Sequence, residues 1–317
     1  MKTWQLPEGI DELSGNQALN FEMLRRQLID LYTDKGFGLV IPPMVEHVDS
    51  LLLTSDSVNE KTFKFLDPVS GKMLGVHADI TPQIARIDAR RASNNIEKYC
   101  YINSILQTRA DDFYDSRSPI QAGAELYGSN DISADVEVIE LMLDSLKILS
   151  IESVVISLGN VAIFDALIAQ ENLDSDQTTE LRHIFAHRSS PDLVTFTQQH
   201  SLVNTALFEA LIKLEGERVV LDQAIALFAD FPDALKAIQD LQAIDQALKG
   251  KNIQVSYDLA ELQTYEYHTG IVFSAYNQNY SKALAQGGRY NGIGESFGQS
   301  RAATGFSFDL KFLSQSS

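Results

Sequence analysis

Asp79, Thr81, Gln121 and Glu125 are the residues of this chain whose types and spacing best suit a polar ligand. Asp79 and Thr81 close one strand-like segment, LGVHA running into DIT. Gln121 and Glu125 lie four apart in PIQAGAELYG, and in an extended strand two such residues project from the same face. Two carboxylates, an amide and a hydroxyl on one sheet face suit a ligand carrying an ammonium or imidazole group. Hydrogen bonds to charged groups contribute about 1.5–3 kcal/mol each, so such a pocket would be selective. An ordinary polar sheet face shows the same pattern, and spacing alone leaves both readings open.

Other candidate chemistry is weaker. The glycine cluster QGGRYNGIGESFG (286–298) contains no GxGxxG, and GxxxxGK[ST] occurs nowhere, so the two common nucleotide loops are absent. A tight turn between strand and helix accounts for it. His183 and His187 share a helical face in RHIFAH, but the glutamate of HExxH and a third nearby ligand are missing. Surface histidines on a solvated helix are the expectation there. No GxSxG elbow marks a nucleophilic serine.

The elements that must position these residues are legible from periodicity. Residues 16–34 place Leu19, Met23, Leu24, Leu28 and Leu31 on one helical face, ending at Lys35-Gly36. GLVIPP follows as a short strand. LGVHA, YCYINSILQ and PIQAGAELYG read as strands, with a short helix before the second that starts at Thr81 as N-cap and Pro82 as first residue. A helix at 132–149 and a strand at 153–158 come next. Residues 172–250 change texture, with few glycines and long helical periodicity, for example Leu235, Ile238, Leu241, Ile244 and Leu248. They read as a helical insertion between 1–171 and 251–317. Strands resume at 253–258, 270–276 and 282–286, and the chain closes with GFSFDLKFL. Strands and crossover helices do not alternate regularly, which argues for an α+β fold on an antiparallel sheet flanked by helices.

Composition narrows the function classes. The 317 residues carry a net charge of −18, which speaks against wholesale binding of a phosphate backbone but leaves room for a local basic patch. One cysteine, Cys100, allows no disulfide framework and no CxxC metal knuckle. The first residues lack a signal-peptide core, and no run of 18 apolar residues could span a bilayer. The expectation is a soluble cytoplasmic protein.

The motifs taken in order resemble the class II aminoacyl-tRNA synthetase core, and the histidyl-tRNA synthetase family in particular. GFGLVIPPMVEHVD (36–49) is similar to motif 1, the strand used in dimerisation. VHADITPQIARIDARR, KYCYINSILQTRA and RSPIQAGAELYG follow the first substrate loop and motif 2. YEYHTGIVFSAY and ALAQGGRYNGIGESFG resemble the two histidyl signatures, and ATGFSFDLKFL stands where motif 3 belongs. The resemblance spans almost the whole chain. It implies that Thr81, Gln121 and Glu125 contact histidine, with Asp79 in place of a glutamate and Tyr267-His268 in place of a tyrosine pair. Backbone donors near Gly287-Gly288 would hold the amino-acid carboxylate.

The departures from that family point away from catalysis. Adenylation needs fixed cations around the α-phosphate of ATP, and losing one preorganised donor commonly costs about 10²–10³ in rate. The family's motif 2 arginine is matched here by Gln107, its histidine-signature arginine by Gln263, and its motif 3 arginine by Phe312, with Lys311 adjacent. The usual Arg-Ala-Asp before the threonine reads His77-Ala78-Asp79, where a cation persists only if His77 is protonated. Motif 3 stands at the end of the sequence, and the expectation is therefore a protein without an anticodon-binding domain and without a tRNA partner.

Histidine recognition without activation resembles the regulatory subunits of ATP phosphoribosyltransferase. That resemblance implies a non-catalytic protein without cofactor or metal, self-associating through motif 1. It would assemble with a short-form catalytic subunit that joins ATP to phosphoribosyl pyrophosphate, the first step of histidine biosynthesis. L-histidine would be the allosteric effector in feedback inhibition. The runner-up is a stand-alone ligase activating an amino acid for a non-tRNA acceptor, with Lys311 or Arg109 replacing the lost arginines. A third possibility is a scaffold with a vestigial pocket.

Overall fold

The computed structural model describes residues 4–51, 56–110, 116–262 and 267–315. Its elements run α1 (Gly15–Asp34), β1 (Gly38–Leu39), β2 (Val45–His47), α2 (Val48–Leu51), α3 (Asp56–Lys61), β3 (Phe63–Leu66), β4 (Met73–Val76) and α4 (Thr81–Arg91). Then come β5 (Glu97–Ser104), β6 (Ile120–Tyr127), α5 (Ile132–Ile148), β7 (Val155–Asn160), α6 (Val161–Ile168), α7 (Ser175–Ala186), α8 (Ser190–His200) and α9 (Thr205–Leu211). The chain continues through β8 (Glu215–Gly216), α10 (Val219–Leu227), α11 (Pro232–Leu248), β9 (Gln254–Asp258), β10 (Ile271–Tyr276), β11 (Ala285–Arg289), β12 (Ala303–Asp309) and α12 (Leu310–Ser314). A 3₁₀ turn, Glu295–Phe297, precedes β12.

Two compact units divide the chain. The first comprises 1–129, 140–152 and 291–317, the second 130–139 and 153–290. In the first, strands stand in the order β1-β5-β6-β12, with β5, β6 and β12 antiparallel and β1 parallel to β5. A small antiparallel sheet, β2-β4-β3, accompanies them. Alternation sorts the large sheet into two faces. Cys100, Ile102, Ala122, Ala124, Leu126, Phe306 and Phe308 are buried on one of them. Tyr32 of α1 meets Phe306 edge-on there, its ring centre 6.4 Å away, and its hydroxyl accepts from Ser145 of α5 at 3.1 Å. The Cys100 thiol lies on the same side, and burial pushes it up to about 12.

The expected helix over 16–34 forms as α1. Gly36, at φ +84°, turns the chain out of it, and Phe37 N–H closes back on Tyr32 O at 2.9 Å. Its buried face differs from expectation: Leu24, Leu28 and Tyr32 are buried while Leu19 and Met23 are exposed. Periodicity finds the apolar stripe but does not say which edge of it meets the sheet.

The second unit holds the strand order β11-β10-β7-β9-β8, antiparallel except for β7 beside β9. The sheets are mainly antiparallel, as expected, with two parallel pairs, β1 beside β5 and β7 beside β9. Phe164 of α6, Phe185 of α7 and Phe208 of α9 meet edge to face in an aromatic cluster. Asn160 caps α6 by accepting from Ala162 N, and an Asp174–Gln177 capping box opens α7. The strand expected over 282–286 forms slightly later, as β11. None of the helices among the described residues is long and apolar enough to cross a membrane.

Candidate functional site

The first unit brings Asp79, Thr81, Gln121 and Glu125 together. β6 supplies Gln121 and Glu125 on one face, and the turn from β4 into α4 supplies Asp79 and Thr81. All four are buried. Thr81 Oγ1 donates to Glu125 Oε1 at 3.0 Å. Gln121 spans the turn, its Nε2 donating to Asp79 Oδ1 at 2.8 Å and its Oε1 accepting from Ile80 N at 3.0 Å. Thr81 N also donates to Asp79 Oδ1, at 3.2 Å.

These bonds correct one local expectation. Thr81 is the first residue of α4 rather than its cap, and the cap position falls to Ile80 with no side-chain bond. The Thr81 hydroxyl is committed to Glu125, and Asp79 takes the capping role by accepting from the first helical N–H. The positive end of the α4 dipole thus points at the carboxylates, offsetting part of their burial cost.

Tyr101 is a member of the site that sequence reasoning missed. Strand register puts it on the same face as Glu125, and its hydroxyl donates to Glu125 Oε1 at 3.0 Å. The signal was the alternation in YCYINS, but an aromatic residue in a strand reads first as core. Space for this cluster comes from two glycines. A Cβ on Gly123 would lie 2.6 Å from Tyr101 OH, and one on Gly305 would collide with the Glu125 carboxylate. Neither position needs an unusual backbone; both need the absence of a side chain.

Behind the site, α4 is anchored by a buried ion pair. Arg301 Nη1 reaches both oxygens of Asp88 at 2.7 and 2.9 Å, and Tyr99 OH adds a bond of 3.0 Å. Burial nevertheless holds the Asp88 carboxyl above its ordinary range, outweighing Arg301. His77, just before the site turn, is 1% exposed, and both ring nitrogens lie against oxygen atoms: Gln83 Oε1 at 2.6 Å and Ser104 O at 2.7 Å.

Tyr267 and His268 belong to the second unit. Their rings meet edge-on at 5.3 Å, and Tyr267 meets Tyr290 likewise at 5.5 Å. His268 is buried, and burial pushes its imidazole down to about 3, so it is neutral across the physiological range. Gly287 and Gly288 do not form the expected turn: they lie within β11, paired with β10. A Cβ on Gly288 would come within 2.9 Å of His268 Nε2 and 2.5 Å of Ile271 O, so this glycine serves close packing. Arg289 is tied to Asp135 of α5 in a second buried ion pair, at 2.6 Å.

The residues compared with adenylation arginines are uncharged or occupied. Gln107 Nε2 donates to Ala78 O at 3.2 Å. Phe312 lies in α12, and Lys311 is buried against Asp11 Oδ1 at 2.8 Å and Ser118 Oγ at 3.1 Å. Arg109 pairs with Glu60 on the surface. Gln263 lies outside the described residues. His183 and His187 behave as surface histidines. His187 Nδ1 turns to His183 O at 2.8 Å, and among the described residues no cluster of three or more His, Cys, Asp or Glu could hold a metal ion.

Comparison with known proteins matches this architecture. Residues 9–313 fit the family model described as histidyl-tRNA synthetase. An ATP phosphoribosyltransferase regulatory subunit from Thiobacillus denitrificans is 42% identical over 315 residues, covering 99% of this chain and 98% of that protein. A solved structure described as an ATP phosphoribosyltransferase regulatory subunit/histidyl-tRNA synthetase from Bacillus halodurans superposes with TM-score 0.87 at 21% identity, over 99% of this chain and 83% of the other. A chain of the ATP phosphoribosyl transferase complex from Thermotoga maritima superposes with TM-score 0.67 at 18% identity, over 94% and 98%.

Proposed function

We propose a function from one premise: the chain belongs to the histidyl-tRNA synthetase family and, within it, to the ATP phosphoribosyltransferase regulatory subunits. It is the non-catalytic subunit of that enzyme, acting in the cytoplasm. It assembles with a short-form catalytic subunit, raises its rate of phosphoribosyl-ATP formation and makes that rate sensitive to L-histidine. The Thermotoga maritima complex supports assembly with a partner of this kind. Exposed apolar residues Leu39, Ile41, Met44 and Val45 in motif 1 support self-association as well.

The observation that carries the effector reading is Glu125, a buried carboxylate fixed by the Thr81 and Tyr101 hydroxyls beside a Gln121-braced Asp79. Two carboxylates in one small space favour an ammonium-bearing ligand. We assign Asp79, Thr81, Gln121 and Glu125 to histidine, and add Tyr267 and His268 from their place in the synthetase signature. Histidine then biases the complex only as far as it binds one state better, typically by about 1–3 kcal/mol.

Loss of adenylation is supported by Gln107, Gln263 and Phe312, none of which carries charge. Neither proposed substitute is at liberty. Lys311 is spent on Asp11 and Ser118, and Arg109 on Glu60. No tRNA enters this reading.

The deciding experiment measures phosphoribosyl-ATP formation by the short catalytic subunit of the same organism, with and without this chain, across a histidine titration. The expected result is a higher rate with the chain present and inhibition by histidine, which Glu125→Ala removes. An unchanged rate and no inhibition would overturn the reading. ATP–pyrophosphate exchange by the chain alone would favour the ligase.

A further inference from the structure

We infer that His77 is held as a doubly protonated imidazolium and is a positioning residue for the Asp79–Thr81 turn. Three contacts set the orientation of the Gln83 amide. Its nitrogen end lies 2.8 Å from Pro43 O and 2.8 Å from Glu46 Oε1, both acceptors. Its oxygen end lies 2.6 Å from His77 Nδ1. Flipping the amide would exchange two good bonds for two oxygen–oxygen repulsions, one of them against a carboxylate. Gln83 Oε1 therefore faces the ring, and His77 Nδ1 must donate to it.

The other ring nitrogen has no choice either. His77 Nε2 lies 2.7 Å from Ser104 O, a backbone carbonyl that can only accept. A neutral ring has one N–H and one lone pair, so either tautomer would press a lone pair against an oxygen at hydrogen-bond distance. Only the imidazolium satisfies both contacts. At 1% exposure water cannot relieve a mismatch.

The charged groups around the ring accommodate a cation. Glu46 of β2 accepts from Gln83, which polarises the amide and makes its oxygen a better acceptor for the ring. Arg86 of α4 pairs with the same Glu46, and Asp79 follows His77 by two residues on its own segment. From β5 the Ser104 carbonyl meets the ring at 2.7 Å.

The placement gives the charge a task. His77 N donates to Met44 O at 3.0 Å, and its own carbonyl accepts from Leu106 N at 3.1 Å. Backbone and ring together tie the end of β4 to β5, α4 and the segment before β2. Asp79 and Thr81 follow two and four residues later, and the path of their turn is set by this clamp. His77 touches no carboxylate of the site, so it acts through the turn rather than on the ligand.

The ring's charge stands independently of the effector reading; the consequence for ligand rests on it. The test labels the six histidines with ¹⁵N and records ring nitrogen–proton correlations at neutral pH, identifying His77 by its loss in His77→Gln. Both ring nitrogens protonated is the expected pattern, and a single-tautomer pattern overturns the inference. Calorimetric titration with L-histidine then compares wild type, His77→Gln and His77→Arg. Loss of a charged hydrogen bond predicts about ten- to hundredfold weaker binding in His77→Gln. His77→Arg, a permanent cation, should recover most of it. If His77→Gln binds like wild type, or His77→Arg is no better than His77→Gln, the positioning role fails. Should wild type bind no histidine, the effector reading falls while the nitrogen spectrum still decides the charge.

Discussion

Gly305 of β12 stands directly opposite Glu125 of β6, on the face where the Glu125 carboxylate is held by Thr81 and Tyr101. A Cβ on Gly305 would lie 2.6 Å from Glu125 Cδ and 2.8 Å from Ala124 O. The carboxylate could swing away only by giving up two hydroxyl bonds, and the Ala124 carbonyl belongs to the strand ladder. Gly305→Ala should therefore weaken histidine binding at least about tenfold and cost about 1–3 kcal/mol of stability. Calorimetric titration and urea denaturation read the two effects, and an unaltered affinity would remove Glu125 from the effector site.

His268 gives a pH dependence with a defined sign. Burial lowers its proton affinity from 6.5 to about 3 in the fold, so between those values the unfolded chain takes up a proton that the folded chain refuses. Its contribution is fully present above the unfolded value and is lost as pH falls. From about pH 7 to pH 5 the loss attributable to this one group is about 2 kcal/mol. His268→Gln, which cannot titrate, should shallow the stability-versus-pH curve by that amount. Parallel curves for the two proteins would show that His268 is not held neutral.

How much of this could be read in advance divides along the range of the interactions. Gln121 and Glu125 on one face followed from the two-residue period of a strand, and β6 presents them so. The glycines 287 and 288 were conspicuous, but a turn and a close approach both call for glycine, and only the proximity of His268 separates them. Tyr101 had the right parity in YCYINS, yet parity does not say that a phenol will meet a carboxylate 24 residues away. His77 stood out as a departure, while its partners Gln83 and Ser104 come from a helix and a strand end that local pattern does not bring together. Leu19 and Met23 failed for a related reason, since their exposure is decided by where the sheet lies.

Lys311 allows the catalytic and structural readings of the C-terminal helix to be separated. Asp309 opens α12 by accepting from Lys311 N and Phe312 N, which turns the Lys311 side chain inward. Its side chain is 5% exposed, and the ammonium meets Asp11, Ser116 and the carbonyl and hydroxyl of Ser118. Although burial opposes it, these donors from Lys311 and Ser116 hold the Asp11 carboxyl below its ordinary range. An ammonium with three protons and this set of acceptors has nothing left to offer a phosphate. Lys311→Met should thus behave as a stability variant, losing about 2 kcal/mol in urea denaturation at neutral pH because Ser118 and Asp11 lose a charged donor. Histidine affinity, measured on the folded protein, should stay within about twofold of wild type, since the side chain lies outside the Asp79–Glu125 cluster. The opposite pattern, unchanged stability with loss of an ATP-dependent exchange activity, would make Lys311 a catalytic cation and reverse the argument.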